Sequence, residues 1–178
     1  MNRRKIILTG LAWLALLGFT AVPAVSLGNL GYINGCDLVI MAACVYMKPS
    51  TAMLYASSAT ALADLLLGYG VFSPYTFVIR GLQGWLAGYM AQKGARRISI
   101  VLVSGCVVLL GYAVAVVMMY GSWQVALTET LYNLIQVTIG IIASLMLARY
   151  DSTIKDYITL LYLSLLRQFA ERRCILPR

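Results

Sequence analysis

Residues 98–120 read ISIVLVSGCVVLLGYAVAVVMMY, a run without a charged side chain. A helix needs about 20 mostly apolar residues to cross the hydrocarbon core of a bilayer, and this run is long enough. Further apolar runs lie on both sides of it, at residues 6–25, 37–47, 50–67, 75–91 and 125–149. The pattern predicts an all-α membrane protein, a bundle of six transmembrane helices.

The composition of the whole chain favours a membrane protein over a soluble one. Of its 178 residues, 61% are hydrophobic and 11% are charged, and the mean hydropathy is +0.84. So few charged groups cannot cover the surface of a soluble domain of this length. The chain has no histidine, which excludes Ser-His-Asp and Cys-His catalytic sites, and its cysteines lack CxxC spacing. We expect no metal site and no cofactor.

Two of the apolar runs allow more than one interpretation. Residues 37–47 are too few for a full span, so the second helix begins near Ile33 or is a half-helix buried among the others. Residues 6–25 follow a basic start, as the core of a signal peptide does. We interpret them as the first transmembrane helix, because the apolar stretch is long and further spans follow it.

Basic residues mark one side of the predicted bundle. They occur at residues 3–5, 48, 93–97 and 149–155. The loops predicted on the other side contain no Lys or Arg and lie around Asn29, Gly70 and Ser122. Short cytoplasmic loops retain basic residues, so six crossings place both termini in the cytoplasm. The net charge of +8 then reflects topology, and we expect no nucleic-acid binding.

The chain divides into two predicted parts. Residues 1–150 form the six-helix transmembrane domain. Residues 151–178 carry apolar side chains at helical spacing, at Ile158, Leu161 and Leu165, but their apolar stretch is too short to span. We predict a cytoplasmic, interfacial amphipathic helix there, followed by a basic tail that favours anionic lipid.

Small residues recur at helix-packing spacing on the third and fourth helices. They are Ala52, Ala56, Ala59 and Ala63 on the third helix, and Gly81, Gly84 and Gly88 on the fourth. Such stripes let two helix backbones approach closely. Tight packing within the bundle is one interpretation, and a docking surface for another membrane subunit is the other.

Ionisable residues occur within or beside the apolar runs, at Asp37, Asp64, Arg80 and Glu129. Each costs about 2.5–3.5 kcal/mol to insert into a bilayer, so each should face the bundle interior and have a partner or a ligand. The predicted topology puts Asp64, Arg80 and Glu129 at a similar depth near the outer side. A polar cavity that opens outward is therefore expected among the helices.

Polar and aromatic residues accompany these charges at the same level. Asn133 and Gln136 follow Glu129 by four and seven residues and share its helix face. The residues predicted to bind a ligand are Asn34, Asp64, Tyr69, Tyr75, Arg80, Gln83, Trp85, Glu129, Asn133 and Gln136. Amides and aromatic rings suit a small, planar, polar molecule.

Two other interpretations of this cluster stay open. In one, Asp64 or Glu129 forms a salt bridge with Arg80 that only holds the helices together, as in a structural or assembly protein of the membrane. In the other, Asp64 and Glu129 are the acid and base of an intramembrane enzyme. Neither an HExxH motif nor a nucleophile elbow supports the enzyme.

Five motifs in chain order resemble one known family. They are GYINGCD at 31–37, ADLLLGY at 63–69, SPYT at 73–76, IRGLQG at 79–84 and YNLIQVTIG at 132–140. These are similar to the GYINLGD, ADLLxGY, APxT, IKGLxG and NxxQxxxG patterns of the substrate-binding S-components of energy-coupling factor (ECF) vitamin transporters. The resemblance covers residues 6–149, nearly the whole membrane part.

The resemblance implies a fold and a function. Such a protein is a six-helix subunit of the bacterial cytoplasmic membrane, is not an enzyme, and captures a vitamin or precursor at the outer face. Its partners would be a transmembrane coupling subunit and two cytoplasmic ATPases, and the chain itself lacks the GxxxxGK[ST] motif of an ATPase. The motifs look closest to members for hydroxymethylpyrimidine or pyridoxine-type compounds, with riboflavin still open.

The family docks on its coupling subunit through small residues of the first helix. This chain lacks the family's clear AxxxA there and has Ala12, Ala15 and Gly18 instead. The resemblance implies that these residues form the docking face.

Overall fold

The structure is a computed structural model that describes residues 3–26 and 32–149, with side chains from Gly10 onward. The elements are α1 (Arg3–Ala21), β1 (Val25–Ser26), β2 (Tyr32–Ile33), α2 (Cys36–Ala43), a 3₁₀ turn (Cys44–Tyr46), α3 (Pro49–Leu66), α4 (Ser73–Gln92), α5 (Arg97–Tyr120) and α6 (Trp123–Arg149). The prediction of an all-helical bundle is confirmed for this part of the chain. The predicted interfacial helix and basic tail at 151–178 lie outside the described residues.

The ends of the helices follow from local sequence. Pro49 begins α3, at the position where a missing N–H costs nothing. Gly121 ends α5 with φ of 64°, a left-handed conformation that glycine adopts without strain. The Ser122 hydroxyl accepts a hydrogen bond from the Val125 N–H at 3.4 Å and so caps the start of α6. The short link reverses the chain direction between α5 and α6.

The second helix is a buried half-helix, and it begins at Cys36, since Ile33 belongs to β2. With its 3₁₀ turn it is about 18 Å long, from rises of about 1.5 and 2.0 Å per residue. Just before it, the Gly35 N–H donates to the Phe19 carbonyl near the end of α1 at 3.1 Å. Near its other end, Arg97 Nη2 at the start of α5 donates to the Ala42 carbonyl at 3.3 Å. The segment thus connects the two ends of the bundle despite its length.

The two most closely packed helices are α3 and α4. Ala52, Ala56, Ala59 and Ala63 of α3 are all fully buried. A Cβ added to Gly88 would lie 3.1 Å from the Met47 carbonyl oxygen, a tight contact that a glycine avoids. The interpretation of these small residues as tight packing within the bundle is confirmed.

Gly84 is the position between α3 and α4 that least tolerates a larger side chain. A Cβ there would lie 2.4 Å from the Ala52 carbonyl oxygen, which is backbone and cannot rotate away. We expect Gly84→Ala to lower the free energy of unfolding by about 1–3 kcal/mol through overpacking. Gly10→Ala is the control, because a Cβ at Gly10 meets nothing within 4 Å. Thermal unfolding in detergent measures the melting temperature of each variant. Equal melting temperatures for Gly84→Ala and Gly10→Ala would contradict the prediction.

Several polar side chains are buried beside an apolar core, and many large apolar side chains are exposed. Asp37, Arg80 and Gln83 are buried, whereas large apolar side chains such as Leu110 and Leu131 are exposed. A large exposed apolar surface with polar groups inside is what a lipid environment favours.

Membrane-spanning character is strongest in the last two helices. Among the described residues, α5 and α6 are long and apolar enough to cross a membrane. α3 and α4 carry buried polar groups such as Thr60, Asp64 and Arg80, which lower their mean hydropathy. The six crossings stay a prediction.

Candidate ligand-binding site

A buried ion pair lies at the centre of the bundle. Arg80 Nη1 on α4 donates to Asp37 Oδ1 on α2 at 2.6 Å. Gln83 Nε2 donates to the same oxygen at 2.8 Å, and Gln136 Nε2 donates to Asp37 Oδ2 at 2.5 Å. Three donors therefore satisfy a carboxylate that is only 1% exposed. A buried ion pair is tolerable when hydrogen bonds complete it in this way.

The ion pair differs from the one that the sequence suggested. Arg80 pairs with Asp37, and not with Asp64 or Glu129. The reason lies in the approach of α6 to α2, because a Cβ added to Gly140 would stand 2.8 Å from the Asp37 Cβ. With no side chain at Gly140, Gln136 one turn earlier comes within reach of Asp37.

A polar cavity lies beside the ion pair, at the end of the bundle where α1, α3 and α5 finish and α2, α4 and α6 begin. The predicted ligand-binding residues that line it are Asn34, Asp64, Tyr69, Arg80, Glu129, Asn133 and Gln136. The empty space among the lining side chains is about 530 Å³ when the part open to solvent is included. Only about 40 Å³ of that space is accessible to the centre of a water molecule. A ring-sized ligand can therefore bind only if the walls move apart.

The strand pair between α1 and α2 forms part of the cavity wall. β1 and β2 pair antiparallel, with Val25 opposite Ile33. The Tyr32 and Tyr69 rings lie 5.0 Å apart, and the Tyr69 hydroxyl is 2.7 Å from Ser26 Oγ. These contacts join the strand pair to the link between α3 and α4.

The cavity wall contains two carboxyl groups, those of Asp64 and Glu129, and each has one hydrogen-bonded oxygen. The Tyr32 hydroxyl donates to Asp64 Oδ1 at 2.6 Å, and Asn133 Nδ2 donates to Glu129 Oε1. Burial, and the Asp64 carboxylate beside it, raise the pKa of the Tyr32 hydroxyl far above its ordinary value. Tyr32 therefore keeps its proton and remains a donor.

Three predicted residues lie outside the cavity wall. Gln83 is fully buried and holds Asp37, which makes it a support of the ion pair. Tyr75 packs against the apolar cluster around Val108. Trp85 stacks on Tyr89 at 5.2 Å. Five residues separate Trp85 from Arg80, which is about 140° around a helix, so the two face different directions.

The sequence interpretation did not include three residues of this region. Asp37 is one of the ionisable residues given above but is not among the predicted ligand-binding residues, and neither is Tyr32. Both belong to the GYINGCD motif, which was the available signal. Tyr112 lines the cavity from α5, under the Arg80 guanidinium at 5.3 Å. The only sequence signal for it is a tyrosine within the mostly apolar run at 98–120.

The predicted docking residues of α1 lie in two environments. The Ala12 carbonyl accepts a hydrogen bond from the Tyr55 hydroxyl of α3 at 3.0 Å, so this residue contacts the bundle. Ala15 and Gly18 line an apolar groove with Phe19, Val22 and Pro23.

No cluster of potential metal ligands occurs among residues 10–26 and 32–149.

Comparison with known families identifies the kind of protein. The sequence model described as "ECF-type riboflavin transporter, S component" matches residues 2–152. The chain belongs to this family. A protein of Pyrococcus woesei, described as "Uncharacterized protein in gap 3'region", is similar to this S component, with 31% identity over 116 residues that cover 63% of this chain and 76% of that protein.

Family membership decides between the classes that the sequence left open. The S component is a substrate-binding subunit of a membrane transporter, and it is not an enzyme. S components bind a small-molecule substrate and associate with a module of energy-coupling and ATPase subunits.

Proposed function

We propose that this S component captures a small ring-containing vitamin or precursor, of the hydroxymethylpyrimidine or pyridoxine type, and delivers it for ATP-driven uptake. The observation that carries the proposal is the cavity itself, in which carboxyl groups, amides and aromatic rings converge at one end of the bundle. Amides and carboxylates orient the edge of a polar ring, and tyrosines offer faces on which it can stack.

The size of the site favours a single ring over riboflavin. The walls leave little room in this conformation, so every ligand has to displace them. A one-ring compound requires a smaller displacement than the three fused rings and polyol chain of riboflavin. The riboflavin named in the family description is the alternative substrate.

The cavity end is proposed to face outward. Lys48 precedes α3, Lys93 follows α4, and Arg97 begins α5, so these basic residues lie at the opposite ends of helices whose other ends form the cavity. Basic residues favour the cytoplasmic side, which leaves the cavity on the external side of the cytoplasmic membrane. The proposed partners are a transmembrane coupling subunit, docked on the groove at Ala15 and Gly18, and two cytoplasmic ATPases.

The alternative of a purely structural polar cluster fits one part of the region. Asp37, Arg80, Gln83 and Gln136 satisfy one another and hold α2, α4 and α6 together. Asp64 and Glu129 do not belong to that network, and they lie in the cavity wall. The proposal therefore assigns a structural role to the first group and ligand binding to the second.

A binding and uptake experiment tests this function. The purified chain should bind hydroxymethylpyrimidine or pyridoxine in calorimetry without ATP, since binding needs only the cavity. In proteoliposomes it should accumulate the ligand only when the coupling and ATPase subunits are present. Trp85→Phe is the control and should bind with unchanged affinity, because Trp85 lies outside the cavity wall. ATP hydrolysis by the isolated chain, or no binding of these compounds or riboflavin, would reject the proposal.

A further inference from the structure

A basic patch lies at the end of the bundle opposite the cavity. It consists of Lys48 before α3, Lys93 after α4, and Arg96 and Arg97 at the start of α5. The two links that carry it are adjacent, because a Cβ added to Gly88 would stand 3.2 Å from the Pro49 Cα. Three of the four basic side chains are exposed, and that of Arg97 is half-buried.

No described carboxylate neutralises the basic patch. Among the residues whose side chains the structure describes, the acidic ones are Asp37, Asp64 and Glu129. Asp37 pairs with Arg80, and the two others line the cavity at the far end of the bundle. Four positive charges on adjacent links repel one another, so an anion that binds among them relieves that repulsion.

Aromatic rings hold two of these cations in place. Lys93 Nζ lies 5.7 Å from the centre of the Tyr89 ring, and the Arg97 guanidinium lies 5.5 Å from that of Tyr46. Arg97 Nη2 also donates to the Ala42 carbonyl at 3.3 Å. A ring attracts a cation but carries no net charge, so both cations are positioned and remain unneutralised. Groups that are already positioned lose less conformational entropy when they bind an anion.

The length of α4 puts the basic patch at the level of lipid headgroups. The helix begins at the cavity end and has 20 residues, so it is about 30 Å long. That length equals the thickness of the hydrocarbon core of a bilayer. Lys93, directly after the helix, therefore lies at the headgroup level of the leaflet opposite the cavity. Tyr89, one turn earlier, has the interfacial position that tyrosine favours.

An apolar helix face leads into the basic patch. Val78, Leu82 and Tyr89 of α4 are 67%, 47% and 42% exposed. Together with Lys93 they are spaced by four, seven and four residues, which keeps all of them within about 60° around the helix. This face is apolar along its length and cationic at its end. A molecule with apolar chains and an anionic group at one end matches it.

We propose that the basic patch binds the headgroup of an anionic phospholipid, whose acyl chains lie along this face of α4. The planar guanidinium of Arg97 bonds the phosphate, and the exposed Lys93 and Arg96 add positive charge around it. In the orientation proposed above, the lipid belongs to the cytoplasmic leaflet. The inference does not depend on which ligand the cavity binds.

Calorimetry on the full-length protein in neutral detergent tests the choice of ligand. The probes are short-chain phosphatidylglycerol, phosphatidylcholine with the same chains, and glycerol phosphate, which has no chains. We expect phosphatidylglycerol to bind at least about 10-fold more tightly than either of the others, because it alone combines net negative charge with acyl chains. Equal affinity for the two lipids overturns the proposal. Glycerol phosphate that binds as tightly as phosphatidylglycerol would show a site for free phosphate and would also overturn it.

Variants distinguish a defined site from diffuse attraction to positive charge. Lys93→Gln and Arg96→Gln should each weaken phosphatidylglycerol binding about 5-fold, the contribution of one basic residue near an anionic surface. Arg97→Lys keeps the charge but loses the planar guanidinium, so it should also weaken binding. Arg149→Gln, at the end of α6, removes one charge from outside the basic patch and is the control.

Melting temperatures in lipid-free detergent show whether each variant folds. If Arg97→Lys does not fold, the two glutamine variants decide the matter, because Lys93 and Arg96 are exposed. A loss of affinity in Arg149→Gln as large as in Lys93→Gln and Arg96→Gln would show diffuse attraction and overturn the site. Unchanged affinity in both glutamine variants would overturn it as well.

Discussion

Replacing Arg80 with methionine is expected to lower the free energy of unfolding by about 3–5 kcal/mol, the cost of leaving one partner of a buried ion pair alone. Asp37 is 1% exposed and would keep the amide donors of Gln83 and Gln136 and the long contact of the Cys36 thiol. None of these donors carries charge, so the carboxylate would remain buried without a counter-ion. The side chain of methionine fills much of the volume of arginine, so the loss of charge dominates over the loss of packing.

Lys93→Met is the matched control for this substitution. Lys93 is exposed, and its ammonium group lies 5.7 Å from the centre of the Tyr89 ring. An exposed contact of this kind contributes about 0.5–1 kcal/mol at most. Denaturant unfolding in detergent measures both variants, and the double variant Asp37→Leu/Arg80→Met should recover part of the loss because no lone charge remains. Equal stability of Arg80→Met and Lys93→Met would rule out the ion pair as a structural element.

The sequence predicted the helices well because length and hydropathy carry that information. The apolar run at 98–120 corresponds to α5 at Arg97–Tyr120, and the run at 50–67 corresponds to α3 at Pro49–Leu66. The short second run allowed two starts, and hydropathy could not choose between them. The choice depends on the strand pair and on the Gly35–Phe19 bond, which are tertiary features.

The sequence could not predict which carboxylate pairs with Arg80, and the reason is different. Depth along a helix can be counted, but the partner of Arg80 depends on how α2 and α6 approach each other. That approach depends on Gly140, whose missing side chain admits Asp37. A glycine in a helix has many possible causes, so its role is visible only in the packed bundle.

Trp85 illustrates a prediction that rests on depth along the helix alone. It was grouped with Arg80 by depth, although helical geometry separates residues five apart by about 140°. The same geometry turns Gln83, three residues from Arg80, back toward it, and Gln83 does bond Arg80 Nη1 at 3.0 Å. Angular position was therefore as informative as depth in this helix.

Gln136→Leu is expected to lower both stability and ligand binding, and to lower stability more than a change at Asn133 does. Gln136 Oε1 accepts from the Asn34 N–H at 2.9 Å, and Gln136 Nε2 donates to Asp37 Oδ2 at 2.5 Å. Each group left unpaired costs about 1–3 kcal/mol, so the loss should be roughly 2–6 kcal/mol for the two. The Asn34 bond also holds the segment after β2 that forms part of the cavity wall. Its loss should loosen the site.

Asn133→Leu removes a bond of another kind and is the matched comparison. Asn133 Nδ2 donates to Glu129 one turn earlier on the same helix, so no contact between elements is lost. It leaves one more oxygen of the buried Glu129 carboxyl group unpaired, so the free energy of unfolding should fall by about 1–3 kcal/mol, less than in Gln136→Leu. Ligand affinity should still fall, by roughly 5- to 150-fold for about 1–3 kcal/mol, because Asn133 lines the cavity and orients Glu129.

Measuring melting temperature and affinity for both variants separates structural support from ligand contact. The division of roles requires both variants to lower ligand affinity and Gln136→Leu to lower the melting temperature more than Asn133→Leu does. Unchanged stability of Gln136→Leu would mean that the Asn34 and Asp37 bonds do not hold the cavity wall. Unchanged ligand affinity of Asn133→Leu would mean that Asn133 does not contact the ligand. It would also mean that the orientation which Asn133 gives to Glu129 does not contribute to binding.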